Sequence, residues 1–451
     1  MREGSLEAPT RHHIGWDHPD FLNEAKIDEE LRRVFDICHG CRRCFNLCDS
    51  FPRLFDLFDA SPTGEIDGIK SEDFAPVVEA CTVCDMCYMT KCPYVPPHEW
   101  NLDFPHLMLR ARMAEAKKHG GDFVARELGK MDRNGRLAAL ASPLVNAASS
   151  RKRKGVRTLV EKVSGIDRDA ELPRFHTKTF VMADRGDPVR PNEAAPAFGK
   201  RKAVLFATCF VNYNKPSTGM AARAVLNHLG VETQVFYPGC CGMPQLEQAQ
   251  LDQVSAKALK ISAAFRPFID QGYDVITLTA SCGLMFKSEW KLIAPKDENV
   301  DLLSRATFDI DQYVVDIARK EGLPPGLAPL DGGVSVHLAC HARAQNIGPK
   351  AAELLKLIPQ AEIDVIERCS GHGGTFGVLK KTRPLANKVG KPVFRAALKA
   401  NKKHIVSDCP LAAKHIVQGM NELAAGSGDA VTAKSGEHPI EVFARAYGLL
   451  P

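Results

Sequence analysis

Beyond residue 200 the chain alternates short, continuous apolar runs with longer stretches of helical periodicity. Lys202–Cys209 (KAVLFATC), Glu232–Tyr237 and Asp274–Cys282 (DVITLTASC) read as strands, with helices over Ser217–Leu229 and about 246–266. The layout then recurs. Val334–Cys340 (VSVHLAC), Glu362–Glu367 and His404–Cys409 (HIVSDC) read as strands, with helices over Pro349–Leu357, 385–400 and Leu411–Leu423. Runs this short and β-branched suit parallel strands buried on both faces. Before residue 200 the pattern differs. Residues 1–30 are a polar lead-in, and 31–110 form a compact cysteine-bearing region. Residues 111–200 are charged and helix-prone, then rich in Pro, Arg and Asp, which predicts a helical connector ending in a loop near Pro188–Pro196.

The two strand–helix series are a duplication. Cys209 to Cys240 is 31 positions and Cys340 to Cys369 is 29; position 241 to Cys282 is 41 and position 370 to Cys409 is 39. A match of that kind outweighs any single motif. Alternating strands and helices imply parallel sheets with right-handed crossovers, whose ligands gather beyond the carboxyl ends of the strands. The cysteines stand at those ends.

Composition excludes several classes. With 59 basic against 54 acidic side chains, the net charge of +5 gives no case for nucleic acid. The N-terminus MREGSLEAPTRHH lacks the apolar stretch of a secretory signal, and no run approaches eighteen apolar residues, so the expected location is cytoplasmic. Residues 136–149, followed by Arg151-Lys152-Arg153-Lys154, are the candidate for peripheral contact with the inner face of a membrane; the competing reading is a helix packed on its neighbour with a solvated basic end. Fifteen cysteines in a chain of 451 residues point to metal or redox chemistry, since a chain this long needs no disulfide staples.

Eight of those cysteines fall in two runs, Cys38-x2-Cys41-x2-Cys44-x3-Cys48 and Cys81-x2-Cys84-x2-Cys87-x4-Cys92-Pro93. Three cysteines two residues apart can wrap one cube, and the fourth ligand comes from elsewhere. In two-cluster ferredoxins, which this region resembles, it comes from the other run. That resemblance implies one [4Fe–4S] cluster on Cys38, Cys41, Cys44 and Cys92, and a second on Cys81, Cys84, Cys87 and Cys48. Zinc knuckles are the alternative, but zinc usually takes two separated pairs. Asp49 rather than proline follows Cys48, and the last gap of the second run is four residues; neither departure removes a ligand. The glycines at 371, 373, 374 and 377 lack the Lys-Ser/Thr pair of a phosphate loop. They suit close backbone approach instead.

Cys240-Cys241-Gly242, with Cys209 upstream and Cys282 downstream, resembles the cysteine-rich CCG domain. That domain occurs in heterodisulfide reductase catalytic subunits. It also occurs, behind a two-cluster ferredoxin domain, in the iron–sulfur subunit of glycolate oxidase and in the C subunits of anaerobic glycerol-3-phosphate dehydrogenases. His337-Leu338-Ala339-Cys340-His341, Cys369-Ser370-Gly371-His372-Gly373-Gly374 and Ser407-Asp408-Cys409-Pro410 resemble the second-unit motifs of the last group. The expected fold is α+β overall: an N-terminal extension (1–30), a helical ferredoxin-like domain (31–110), the connector (111–200), two duplicated α/β CCG units with parallel strands (201–325 and 330–425) and a C-terminal tail (426–451).

In the family a complete unit holds a cluster with one early cysteine, the adjacent pair and a late CxxC. The resemblance therefore implies a further cluster on Cys209, Cys240, Cys241 and Cys282, with Thr279 in place of one late cysteine. The second unit offers only Cys340, Cys369 and Cys409, because Ser370 and Ala412 replace two members; His337, His341 and His372 are nearby nitrogen donors, and packing cysteines are the competing reading. The function implied is electron transfer within an oxidoreductase complex, from a flavoprotein dehydrogenase or other partner oxidoreductase to a quinone or other acceptor. The alternatives are a heterodisulfide reductase-like thiol/disulfide catalyst and an electron donor to a peroxide-defence protein.

Overall fold

The computed structural model describes residues 9–186 and 189–450. Pro188, the start of the loop expected after the connector, lies outside them. The N-terminal region is helical. Helix α1 (Glu24–Cys41) is capped by the Asn23 side chain, buries Ile27, Leu31, Val34 and Phe35, and ends at Arg42 in the left-handed region. Helix α2 (Ser50–Ala60) follows the first cysteine run, and α3 (Phe104–His119), capped by Asp103, follows the second. Phe35, Phe51, Phe55, Phe58, Phe74 and Phe104 pack this region into its own core, with Cys81 and Cys87 among them. The lead-in is less polar in effect than its composition suggests: Ile14 is buried and its N–H donates to the Leu292 carbonyl.

The connector folds as α4 (Met131–Leu140), α5 (Ser142–Ser149) and α6 (Lys154–Ser164). From residue 202 two parallel four-stranded sheets repeat one topology. Strands β1 (Lys202–Phe206), β2 (Glu232–Phe236), β3 (Asp274–Thr277) and β4 (Thr307–Asp309) lie in the order β2-β1-β3-β4. Strands β5 (Val334–His337), β6 (Ile363–Ile366), β7 (His404–Ser407) and β8 (Gly436–Glu437) lie in the order β6-β5-β7-β8. The order reverses beside β1 and beside β5, which makes the carboxyl ends of β1/β3 and β5/β7 the natural binding crevices. Alternation places Ala203 and Leu205 of β1 in one core and Val204 and Phe206 in another, so this strand is buried on both faces.

The helices of the first unit include α7 (Cys209–Tyr213), α8 (Pro216–His228), α9 (Leu251–Asp270), α10 (Ala280–Leu284) and α11 (Ile310–Lys320). Those of the second are α12 (Cys340–Ala344), α13 (Lys350–Leu355), α14 (Arg383–Ala400), α15 (Pro410–Ser427) and α16 (Pro439–Ala446). The last helix of each unit packs on an early helix of the other: α11 on α13 and α16 on α8. The two units therefore share one core, to which Val334, Val336 and Val406 contribute beside Ala203 and Leu205. The segment read as a tail supplies β8 and α16, and Ile440, Val442, Phe443 and Ala444 are fully buried. The strands also stop earlier than their apolar runs. β1, β3, β5 and β7 end before the cysteine is reached, and Cys209, Cys282 and Cys340 sit in the first turn of the next helix. At β1 the cause is Thr208, which leaves the extended region (φ 43°) and caps α7 by accepting the Val211 N–H on its hydroxyl.

Candidate metal centres

All fifteen cysteines are free thiols. Cys38, Cys41, Cys44 and Cys92 line one cavity, walled by Phe51, Phe55, Tyr94 and Leu102. Cys48 lies close enough to Cys84 and Cys81 for charge on one sulfur to oppose charge on another. Cys87 joins the same group and also feels Cys44 of the first. The structure thus brings the eight cysteines into two adjoining groups, each drawing one member from the opposite run.

Local backbone geometry aims these sulfurs. Arg42, Val83 and Asp85 take left-handed φ values of 49°, 50° and 62°, uncommon outside glycine. Such residues reverse the chain between successive cysteines. Backbone N–H groups also face several of the sulfurs: Val83 N–H donates to Cys81 Sγ at 3.4 Å, and the N–H groups of Ser50, Met86 and Tyr94 favour the charged forms of Cys48, Cys84 and Cys92. Burial, then charge on neighbouring cysteines, pushes Cys44 up to about 12. Burial, then Cys369, does the same to Cys84. So many thiolates coexist only around positive charge. Among the described residues no three His, Cys, Asp or Glu side chains surround one point as a single ion requires. Soft sulfur donors lining a cavity, with N–H groups directed at them, fit an iron–sulfur core.

In the first unit Cys209 and Cys240 have sulfurs 3.8 Å apart, and those of Cys241 and Cys282 are 3.3 Å apart. Cys240 is the thiol held low, first by its hydrogen-bond contacts with Cys209 and Cys241. The same contacts, with burial, hold Cys209 and Cys241 high. Asp132 of α4 fixes the loop: it accepts Cys240 N–H at 3.1 Å and Tyr237 O–H at 2.7 Å, and pairs with Lys257 at 3.2 Å. Trp290 donates its indole N–H to the Cys241 carbonyl at 3.1 Å. Thr279 is tied across the crevice, its hydroxyl donating to the Thr208 hydroxyl at 3.2 Å.

In the second unit Cys340 is raised by burial and then by Cys84, Cys369 and Cys409. Cys369 accepts Gly371 N–H at 3.3 Å, and burial pushes Cys409 up to about 11. This trio adjoins the second N-terminal group through Cys84 and Cys48. His337 is committed elsewhere: its ring nitrogens are hydrogen-bonded to the Ser407 hydroxyl and the Arg368 carbonyl, each at 3.0 Å. It is a core residue, not a spare ligand. His341 Nδ1 meets the Ser281 hydroxyl at 2.9 Å, while neither ring nitrogen of His372 has a partner among the described residues.

A buried ionic lock joins the N-terminal region to the first unit. The Arg11 guanidinium donates to Asp103 at 2.8 Å, Asp85 at 2.9 Å and Glu289 at 3.2 Å, and His106 lies between Asp103 and Glu289. Burial opposes the charge on Arg11, but the three carboxylates outweigh it. Removing one member of such a set leaves an uncompensated buried charge. Sequence reading missed this lock, because its members lie up to 278 positions apart in no motif.

Comparison with known proteins settles the family. Residues 203–287 and 334–413 match the family described as CCG, cysteine-rich domain, once per sheet. Lactate utilization protein A of Macrococcus caseolyticus is 30% identical over 39% of the chain and 73% of its own length. The chain belongs to the CCG cysteine-rich-domain family. Another relative of this CCG chain is the C subunit of anaerobic glycerol-3-phosphate dehydrogenase from Escherichia coli K12, 28% identical over 82% of the chain and 98% of its own length. An iron–sulfur protein of Methanocaldococcus jannaschii is 30% identical over 48% and 41%. The CCG chain is thus iron–sulfur and oxidoreductase-related, and its relatives support an electron-transfer role.

Proposed function

We propose that the chain is the electron-transfer subunit of an oxidoreductase complex, between a flavoprotein dehydrogenase and a quinone or similar acceptor. Cys38, Cys41, Cys44 and Cys92 would hold one [4Fe–4S] cluster, Cys81, Cys84, Cys87 and Cys48 a second, and Cys209, Cys240, Cys241 and Cys282 a third. One-electron transfer is the chemistry such groups supply. The observation that carries this reading is the continuity of sulfurs: Cys44 beside Cys87, and Cys84 beside Cys369 and Cys340. The protein's own part is to place thiolates, direct N–H groups at them and wall them with Phe51 and Phe55. Each of these sets a reduction potential through hydrogen bonding and solvent exclusion. A hydride-oxidising partner needs such an outlet.

One observation favours a second reading. Sulfurs 3.3 Å and 3.8 Å apart in the first unit need little movement to reach the ~2.05 Å of a disulfide bond, as a thiol/disulfide catalyst would require. Iron and sulfide counting with electron paramagnetic resonance on anaerobically purified chain separates the two. Electron transfer predicts about twelve irons, of which about four vanish in Cys241→Ser. Fewer than about eight after reconstitution counts against the N-terminal assignment. Reduction of a small disulfide by reduced viologen, lost in Cys241→Ala, would favour the second reading.

A further inference from the structure

Helix α6 is built inside out. Its polar residues Arg157 and Glu161 are 1% and 5% exposed, whereas Leu159 and Val163 are 62% and 77% exposed, with Val156 on the same stripe. Positions 156, 159 and 163 recur at helical spacing and form one face. The inward face is fixed by specific contacts. The Arg157 guanidinium donates to the carbonyls of Asp167 at 2.5 Å, Ala170 at 3.0 Å and Arg168 at 3.1 Å. Glu161 accepts the Arg168 N–H at 3.0 Å and pairs with Lys380 at 3.2 Å. The helix cannot roll to hide its apolar side without breaking these bonds. Helix α5 packs on both α4 and α6, and the pair α4–α5 adds Leu137, Leu140 and Leu144, the last two 81% and 76% exposed.

Basic charge accompanies this surface. Arg151, Lys152, Arg153 and Lys154 are all exposed at the start of α6, and Lys162 is exposed within it. Only Arg151 has an acidic partner, Glu171 at 3.2 Å; among the described residues Lys152, Arg153 and Lys154 have none. The one carboxylate on α6, Glu161, points inward. No described helix is long and apolar enough to cross a membrane. An apolar stripe with cations at its edge and no outward acid matches the interfacial plane of an anionic bilayer.

We propose that α6, with the basic segment Arg151–Lys154 and the exposed leucines of α4 and α5, docks the protein on an anionic lipid surface. This deepens the acceptor side of the reading above, since quinones dissolve in bilayers, but it stands on surface geometry alone. The test is co-sedimentation of the full chain with phosphatidylglycerol/phosphatidylcholine vesicles, with pure phosphatidylcholine as the reference. Anionic vesicles should bind the protein, and Leu159→Glu/Val163→Glu should weaken partition at least about tenfold with iron content and helicity unchanged. Neutralising Lys152, Arg153 and Lys154 to Gln should weaken it by on the order of fivefold per charge. Leu159→Trp keeps an apolar side chain and should show a blue-shifted emission on anionic vesicles. Absence of wild-type partition, an unmoved Leu159→Trp emission, or a homodimer or partner complex that Leu159→Glu dissociates would overturn the proposal. None of these readouts depends on electron transfer, so either reading can fail alone.

Discussion

The two CCG units have one topology and different donor sets, and the register between them shows where each lost its sulfur. Thr279 stands two residues after the end of β3, as Cys409 stands two after β7. Cys282 is third in α10, as Ala412 is third in α15. The first unit keeps the later member of the late pair and the second keeps the earlier. The first also keeps both Cys240 and Cys241, where the second has Cys369 and Ser370. Sheet order and helix packing survive these exchanges, because fully buried strand residues such as Val204, Ile276, Val336 and Val406 carry the cores, in which Cys241 and Cys282 are minor members. A fold constrains where donors can stand; the site itself is a separate matter.

The largest expected difference between the units is in acid. The first unit has one histidine, His228; the second and its C-terminal helix bury His337 and His372, held down to about 4, and His415 and His438, held down to about 3, in each case first by burial. A histidine depressed in the folded state stabilises the fold fully above its unfolded value near 6.5, and that stability is lost as pH falls from about 6.5 toward 4. At pH 5 each such group costs about 2 kcal/mol. Buried acids act with the opposite sign. Burial raises Glu247 to about 7 and also raises Asp309 in the first unit, which therefore loses stability as pH rises through that range. Asp408, raised to about 7, is one such acid in the second unit against five histidines, since burial holds His341 down to about 4 as well. Peptide-resolved hydrogen exchange at pH 5 and pH 7.5 should show protection shifting from the second unit to the first on acidification. Equal loss in both units would remove this contrast.

Much of this architecture was legible in the sequence, and the gaps have physical causes. Continuous apolar runs marked β1, β3, β5 and β7 because parallel strands are buried on both faces. They could not mark β4 or β8, which are three and two residues long. Apolar patterning also carried the strands too far, since the residues that link strand to helix, Ala207-Thr208 and Leu338-Ala339, are as buried as the strands before them. The cysteine spacings located both N-terminal runs, but spacing carries no information about the Arg11 lock or about the Asp132 carboxylate under Cys240. α6 was hidden for the opposite reason: its periodicity is ordinary, and only the structure shows that the apolar face points outward.

The next contrast lies at the glycine that follows each cysteine pair position. Gly371 has φ +75°, and a Cβ there would lie 2.0 Å from the Ala386 carbonyl oxygen and 2.8 Å from the Gly390 nitrogen, both backbone of α14. Gly242 has φ +89°, but its Cβ would meet only side chains, the flexible Lys257 at 3.3 Å and Val254 at 3.8 Å among them. Gly242→Ala should therefore cost about 1–2 kcal/mol, the left-handed penalty alone. Gly371→Ala should cost at least about 3 kcal/mol, because α14 must move away from the loop. Denaturant midpoints compare the two, and equal costs would mean that α14 yields more easily than its packing implies.

The smallest effect tests why Thr279 occupies a position that holds sulfur in the second unit. Its hydroxyl is buried and bonded to that of Thr208, which itself caps α7 at the start of the Cys209 turn. Thr279 thus ties the ends of β1 and β3 together across the crevice where Cys209 and Cys282 enter. Thr279→Val keeps the shape and removes the hydrogen bond, so it should cost about 1 kcal/mol in urea or guanidinium unfolding. The Thr208 hydroxyl continues to accept the Val211 N–H, so α7 should keep its cap and iron content should not change. A loss of iron in Thr279→Val would make the threonine part of the metal centre, and the first unit would then use the same five positions as a complete one.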